Sequence, residues 1–245
     1  MTGEGRKGEG RKGEGRKGEG RKGEGRKGKG RKGKGRKGKG RDGLGSRKHG
    51  IDPPPIVLVD SCVWHRSFTR NVLRHLAIEG AIRIRWSRTI EMEWIASVLR
   101  VRPEIARAKL LSVRDRFRME FPDGLVPDRL PRPKLPPLPD PNDAHVLVAA
   151  ISAQASAICT LDRGGFPGRI LRPLGLSTLS PKALLADCVL HRLPATARAL
   201  QDHRANLTNP RYSIDAYLEA LHRADLVAET IRADKLRAAL LVKPQ

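Results

Sequence analysis

Ile56-Val-Leu-Val-Asp60 is an unbroken apolar run that ends in a carboxylate. A strand with one face in water alternates apolar and polar residues. This run does not, so it reads as a parallel strand buried on both faces. Parallel strands need long crossovers, normally helices, and the following sequence supplies them. Residues 70–78 place Val72, Leu73, Leu76 and Ala77 at helical spacing. Residues 82–86 form a second short strand. Ser87 caps a helix over 89–100, with Ile90, Trp94, Ile95 and Val98 on its apolar side. A helix or helix pair is expected over 103–119, and a proline-rich loop over 122–139 with one short strand at 124–126. Asp140-Pro-Asn-Asp143 opens a helix over 145–154. Residues 157–161 are another buried strand, and 169–171 a short one. Helices follow over 180–187, 194–204 and 214–221, and an exposed one over 226–241. Strands alternating with helices indicate an α/β fold with a central parallel sheet between two helical layers. In such sheets ligands bind beyond the carboxyl ends of the strands, where Asp60 and Asp162 both fall.

The first 50 residues are of another kind. They repeat Gly-Glu-Gly-Arg-Lys, drifting to Gly-Lys-Gly-Arg-Lys, and hold 19 of the 25 glycines and 20 of the 49 Lys and Arg residues against six acids, a net +14 of the chain's +23. No apolar pattern offsets the entropy of ordering, so residues 1–50 are expected to be a disordered basic tail. The tail either binds nucleic acid through counterion release, or is a repeat of little function, or reflects a start codon placed too far upstream. The glycine period is not three, which excludes collagen. The body divides into 56–179, carrying the sheet, and a helical extension, 180–245. Cys62, Cys159 and Cys188 share no CxxC spacing, which argues against a zinc knuckle or disulfide framework. With no membrane-length apolar stretch and no visible signal peptide, a reducing cytoplasm is the default expectation.

Four acids stand out: Asp60, Glu93, Asp143 and Asp162. Each has a structural reading. Asp60 could accept backbone N–H bonds from the turn after its strand. Glu93 competes with Glu91 for the inward position on its helix, and it borders the apolar stripe better. Asp140 and Asp143 resemble an acidic capping box, although one acid suffices to cap. Asp162 precedes Gly-Gly, where a turn favours Asp. Brought together, the four would raise one another's pKa values unless a cation intervened. An all-oxygen site suits Mg²⁺ or Mn²⁺. An acidic pocket in a basic protein points to a phosphate-rich substrate.

The same segments carry a family likeness. Leu58-Val-Asp-Ser-Cys-Val-Trp64 resembles the first motif of PIN-domain nucleases, and Arg85-Trp-Ser-Arg-Thr-Ile-Glu-Met-Glu-Trp94 their second-acid helix. Asp140-Pro-Asn-Asp-Ala-His-Val146 and Ile158-Cys-Thr-Leu-Asp-Arg-Gly-Gly-Phe-Pro167 resemble the third and fourth motifs. Asn206-Leu-Thr-Asn-Pro210 and residues 214–221 resemble the C-terminal helical extension of a branch of VapC-like toxins. The likeness covers residues 56–224 and leaves out the repeat.

It implies a metal-dependent endoribonuclease of the three-layer α/β/α PIN fold that hydrolyses RNA phosphodiester bonds, uses Mg²⁺ or Mn²⁺, forms homodimers and is paired with an antitoxin protein. It gives Asp60, Glu93 and Asp143 the first three acidic positions. In the fourth motif Asp162 stands where that branch usually has Asn, and Gly165 where it has Asp. Either Asp162 replaces the missing ligand or the second metal is weakly held. Thr160 could orient an acid or a water. His145 is typical of the branch and could contact the scissile phosphate or hold Asp143, or serve only structurally. Arg88 and Arg163 are candidate phosphate contacts, with a solvated surface role as the default. Two other functions stay open: a PIN-like protein that binds RNA but cuts poorly, and a nucleic-acid-binding protein dominated by the basic tail.

Overall fold

A computed structural model describes residues 53–127, 135–162, 164–231 and 233–241 of the protein. All belong to the unit Arg41–Gln245. The basic repeat, expected to be disordered over 1–50, lies outside the described residues, as does Arg163.

The chain starts with β1 (Ile56–Val59), a short helical turn α1 (Ser61–Trp64) and α2 (Ser67–Ile78). β2 (Arg83–Ser87) leads into α3 (Arg88–Val101), then α4 (Arg107–Glu120) and β3 (Leu125–Val126). A single 3₁₀ turn, Pro141–Asp143, opens α5 (Ala144–Ser152), which precedes β4 (Ala157–Cys159). The sheet ends with α6 (Gly168–Leu171) and β5 (Ser177–Leu179). Four further helices follow: α7 (Pro181–His191), α8 (Leu193–Ala205), α9 (Ile214–Arg223) and α10 (Ala233–Leu241).

The five strands form one sheet in the order β3-β2-β1-β4-β5, every pair parallel. β1 is central, with Leu58 opposite Arg85 on one side and Ile158 on the other. Helices flank the sheet as expected for an α/β/α core. Val57, Leu58 and Ile158 are fully buried, each worth ~1.5–3 kcal/mol relative to exposure. Trp64, Trp86, Trp94 and Phe117 form an aromatic cluster beside them.

Local chemistry sets most boundaries. The Oγ of Ser87 accepts the N–H of Ile90 at 3.2 Å, and those of Ser180 and Ser213 cap α7 and α9 in the same way. Two expectations fail. Residues 169–171 lie in α6, not in a strand. A turn over Arg172–Leu174 then ends at Gly175, whose φ of 71° lets the chain reverse into the strand that does form, β5. The last helix is not exposed all round. Leu236, Ala239 and Leu240 recur at helical spacing and are buried where α10 packs on α8, which packs in turn on α2. Among the described residues, no helix is long and apolar enough to cross a membrane.

Candidate active site

Strand order reverses between β1 and β4, since the chain runs outward to β3 on one side and to β5 on the other. Such a switch point leaves a crevice beyond the carboxyl ends of the two strands. A cleft of about 480 Å³ opens there. Asp60, Glu93, Asp143 and Asp162 all line it, with Cys62 and Arg100 beside them.

Asp60 follows β1 directly and is buried. Its Oδ1 accepts the N–H of Ser61 at 2.6 Å, so it does cap the turn after its strand. Its Oδ2 faces the neighbouring strand, accepting the Thr160 hydroxyl at 2.7 Å and the Cys62 thiol at 3.1 Å. Burial and the charge of Asp60 push that thiol up to about 11, so Cys62 stays neutral and donates. Thr160 is fully buried after β4 and also accepts the N–H of Asp162 at 3.0 Å. One hydroxyl therefore ties the first acid to the loop carrying the fourth.

Asp162 is a turn former as well. Its Oδ1 accepts the N–H groups of Gly164 and Gly165, both at 3.0 Å. Its Oδ2 is directed elsewhere: a Cβ built on Gly165 would lie 2.9 Å from it and 2.7 Å from Oδ2 of Asp143. Two carboxylates thus border a space that exists because residue 165 has no side chain. In the 3₁₀ turn it is Asp140 that caps, accepting the Asn142 N–H at 2.8 Å, while the Asp143 carboxylate makes no capping bond. Burial first, then the negative charges of Asp140, Asp60 and Asp162, raise the pKa of Asp143; His145 opposes them.

Glu93 lies on the cleft face of α3. Its Oε1 meets Nε2 of His145 at 2.8 Å, so this histidine holds Glu93 and not Asp143. Burial disfavours charge on the ring, but the hydrogen bond to Glu93 and the charges of Glu93, Asp60 and Asp143 together raise its pKa. Of the two glutamates of α3, the one turned into the core is Glu91, not Glu93 as helical spacing suggests. Glu91 is the more buried, at 3 % exposure. It accepts the Trp86 indole N–H at 2.8 Å and is paired with Arg118. Glu93 is the acid left facing the cleft. Arg88, at the first position of α3, is exposed and is not among the lining residues. Arg100 went unnoticed in the sequence, although it lies on the same helical face as Glu93, seven residues on.

The side chains lining the cleft are oxygen-rich and acidic, the donor type that hard divalent cations prefer, and Gly165 leaves a gap between two of them. Among the described residues, no three of His, Cys, Asp and Glu stand close enough together to form a complete ligand set. Residues 57–164 match the family model described as PIN domain. No curated protein and no solved structure matches the chain.

Proposed function

Because the chain carries a PIN domain over residues 57–164, we propose that it is a metal-dependent endoribonuclease that hydrolyses RNA phosphodiester bonds and serves as the toxin of a toxin–antitoxin pair. One observation carries the nuclease reading: four carboxylates from four separate segments line one cleft at the switch point of a parallel sheet. The toxin assignment, with its antitoxin partner and homodimer, rests on the order of the motifs and on the helices beyond the sheet.

Asp143 and Asp162 would hold the ion across the gap at Gly165, and Asp60 lines the same cleft from the end of β1. When bound, Mg²⁺ or Mn²⁺ supplies an activated water and neutralises charge on the phosphate oxygens. The chain's own groups prepare the site. Thr160 and the Ser61 N–H fix the Asp60 carboxylate, so no rotamer freedom is lost when it is used. His145 donates from Nε2 to Glu93 and fixes that side chain at the cleft wall. RNA would be read by shape and unpaired bases.

Asp60→Asn keeps the size of the side chain and its place at the head of α1. It is expected to lower Mn²⁺-dependent cleavage of a labelled single-stranded RNA by 10²-fold or more, on the order of a lost electrostatic element, with an unchanged circular dichroism spectrum. Undiminished cleavage would remove Asp60 from the ligand set. A second reading, a PIN protein that binds RNA but cuts poorly, is favoured by the incomplete ligand grouping and by the engagement of Asp162 Oδ1 in its own turn. It expects RNA binding that survives chelation, without cleavage in either metal.

A further inference from the structure

One face of α3 borders the cleft through Glu93, Ala96, Ser97 and Arg100. This is the i, i+3, i+4, i+7 spacing of a single helical stripe. The two residues in the middle are small and uncharged, so the stripe is an open track from an acid at one end to a cation at the other. Arg100 is exposed, and it is the only arginine or lysine among the described residues that line the cleft. No hydrogen bond or ion pair joins it to a described residue, although four carboxylates border the same space. Seven residues separate it from Glu93, about 10 Å along the helix axis. That sets the backbone of Arg100 beyond the acids, in line with the next part of a polyanionic strand that runs along α3.

We propose that Arg100 binds a backbone phosphate flanking the scissile one, so that the substrate strand leaves the acids along α3. The inference rests on the nuclease reading and deepens it: it names a positioning residue for the substrate and the direction the strand takes. The guanidinium contributes a charge-assisted contact to phosphate oxygens and carries no part of the bond-breaking chemistry. An alternative role is purely structural, because Arg100 lies in the last turn of α3, where a cation meets the negative end of the helix dipole. The two roles separate cleanly. A phosphate contact appears in the salt dependence of RNA binding, and a dipole contact appears only in stability.

The test uses the full chain carrying Asp60→Asn, so that RNA is bound without being consumed. Binding of a fluorescein-labelled single-stranded RNA is measured in Mn²⁺ buffer from 50 to 200 mM salt, for this parent and with Arg100→Ala, Arg100→Gln or Arg100→Lys added. Loss of one phosphate contact on a single strand flattens the log–log salt slope by about 0.7, so the Ala and Gln variants lose about 2.5-fold less affinity over that range than the parent does. Arg100→Lys keeps the parent slope. The contribution of the basic repeat cancels, because it is common to all four proteins. Equal slopes in all four, with thermal stability alone falling in the Ala and Gln variants, would assign Arg100 to the helix dipole and overturn the proposal. A parent that binds no RNA at any salt would overturn the nuclease reading itself, and this inference with it.

Discussion

A side chain at position 165 would meet both the Asp143 and the Asp162 carboxylates at under 3 Å. The backbone there does not require glycine, because its φ lies outside the left-handed region. What glycine provides is volume. Gly165→Ala places a methyl group where a cation would sit. It is expected to weaken Mn²⁺ binding at least tenfold by calorimetry, about 1.4 kcal/mol, while the melting temperature changes little. Unchanged Mn²⁺ affinity would mean that the gap at 165 is not part of the ion's seat. Sequence reasoning reached Gly165 as a missing ligand and could not see it as a vacated space, because which acids crowd a glycine is a matter of three-dimensional approach. Other residues divide in the same way. The capping role of Asp140 was legible, since side-chain-to-backbone bonds span two or three positions. The burial of Glu91 was not: its partner Arg118 is 27 positions away on another helix.

At the scale of elements, α2 and the helices after the sheet meet through titratable side chains. His203 on α8 bonds Tyr217 on α9 through Nδ1 at 2.7 Å, and its ring lies 5.5 Å from that of His75 on α2. Burial, then the charges of His75 and Arg74, drive the pKa of His203 down to about 4. Burial and Arg74 also lower His75, against the pull of Asp202, Glu120 and Glu79. Both rings are neutral in the fold at pH 7, whereas in the unfolded chain they take up protons near pH 6.5. The stability they contribute is therefore present above pH 6.5 and is lost as pH falls below it, for His203 through about 4. For His203 alone the full loss is about 3 kcal/mol. Urea unfolding at pH 7, 5.5 and 4 checks this, with His203→Gln expected to show a shallower decline than the parent; matching declines would count against it. Helices were the more readable elements, because caps and 3.6-residue spacing are local. β5 gave no signal. Its three residues include two polar ones, and it is a strand only because β4 offers it a free edge.

For the whole molecule, charge is the dominant asymmetry. The net +14 of residues 1–50 exceeds the +9 of everything after them, and the body already holds the sheet and the cleft. Removing residues 1–50 is expected to lower RNA affinity mainly at low salt and to reduce the slope of log affinity against log salt. Fluorescence anisotropy on the two forms measures both. Identical slopes with and without the repeat would show that it does not touch the nucleic acid.

The hydroxyl that steadies Asp60 belongs to Thr160, 100 positions later, and the two meet only because β4 pairs beside β1. A contact between positions so far apart cannot form until the chain between them has been made. A polypeptide emerging from the ribosome carries its first two acids long before it can use them. All four acids can line the cleft only after β4 has been made and has docked beside β1, so whatever those carboxylates do together waits for nearly the whole sheet to be synthesised.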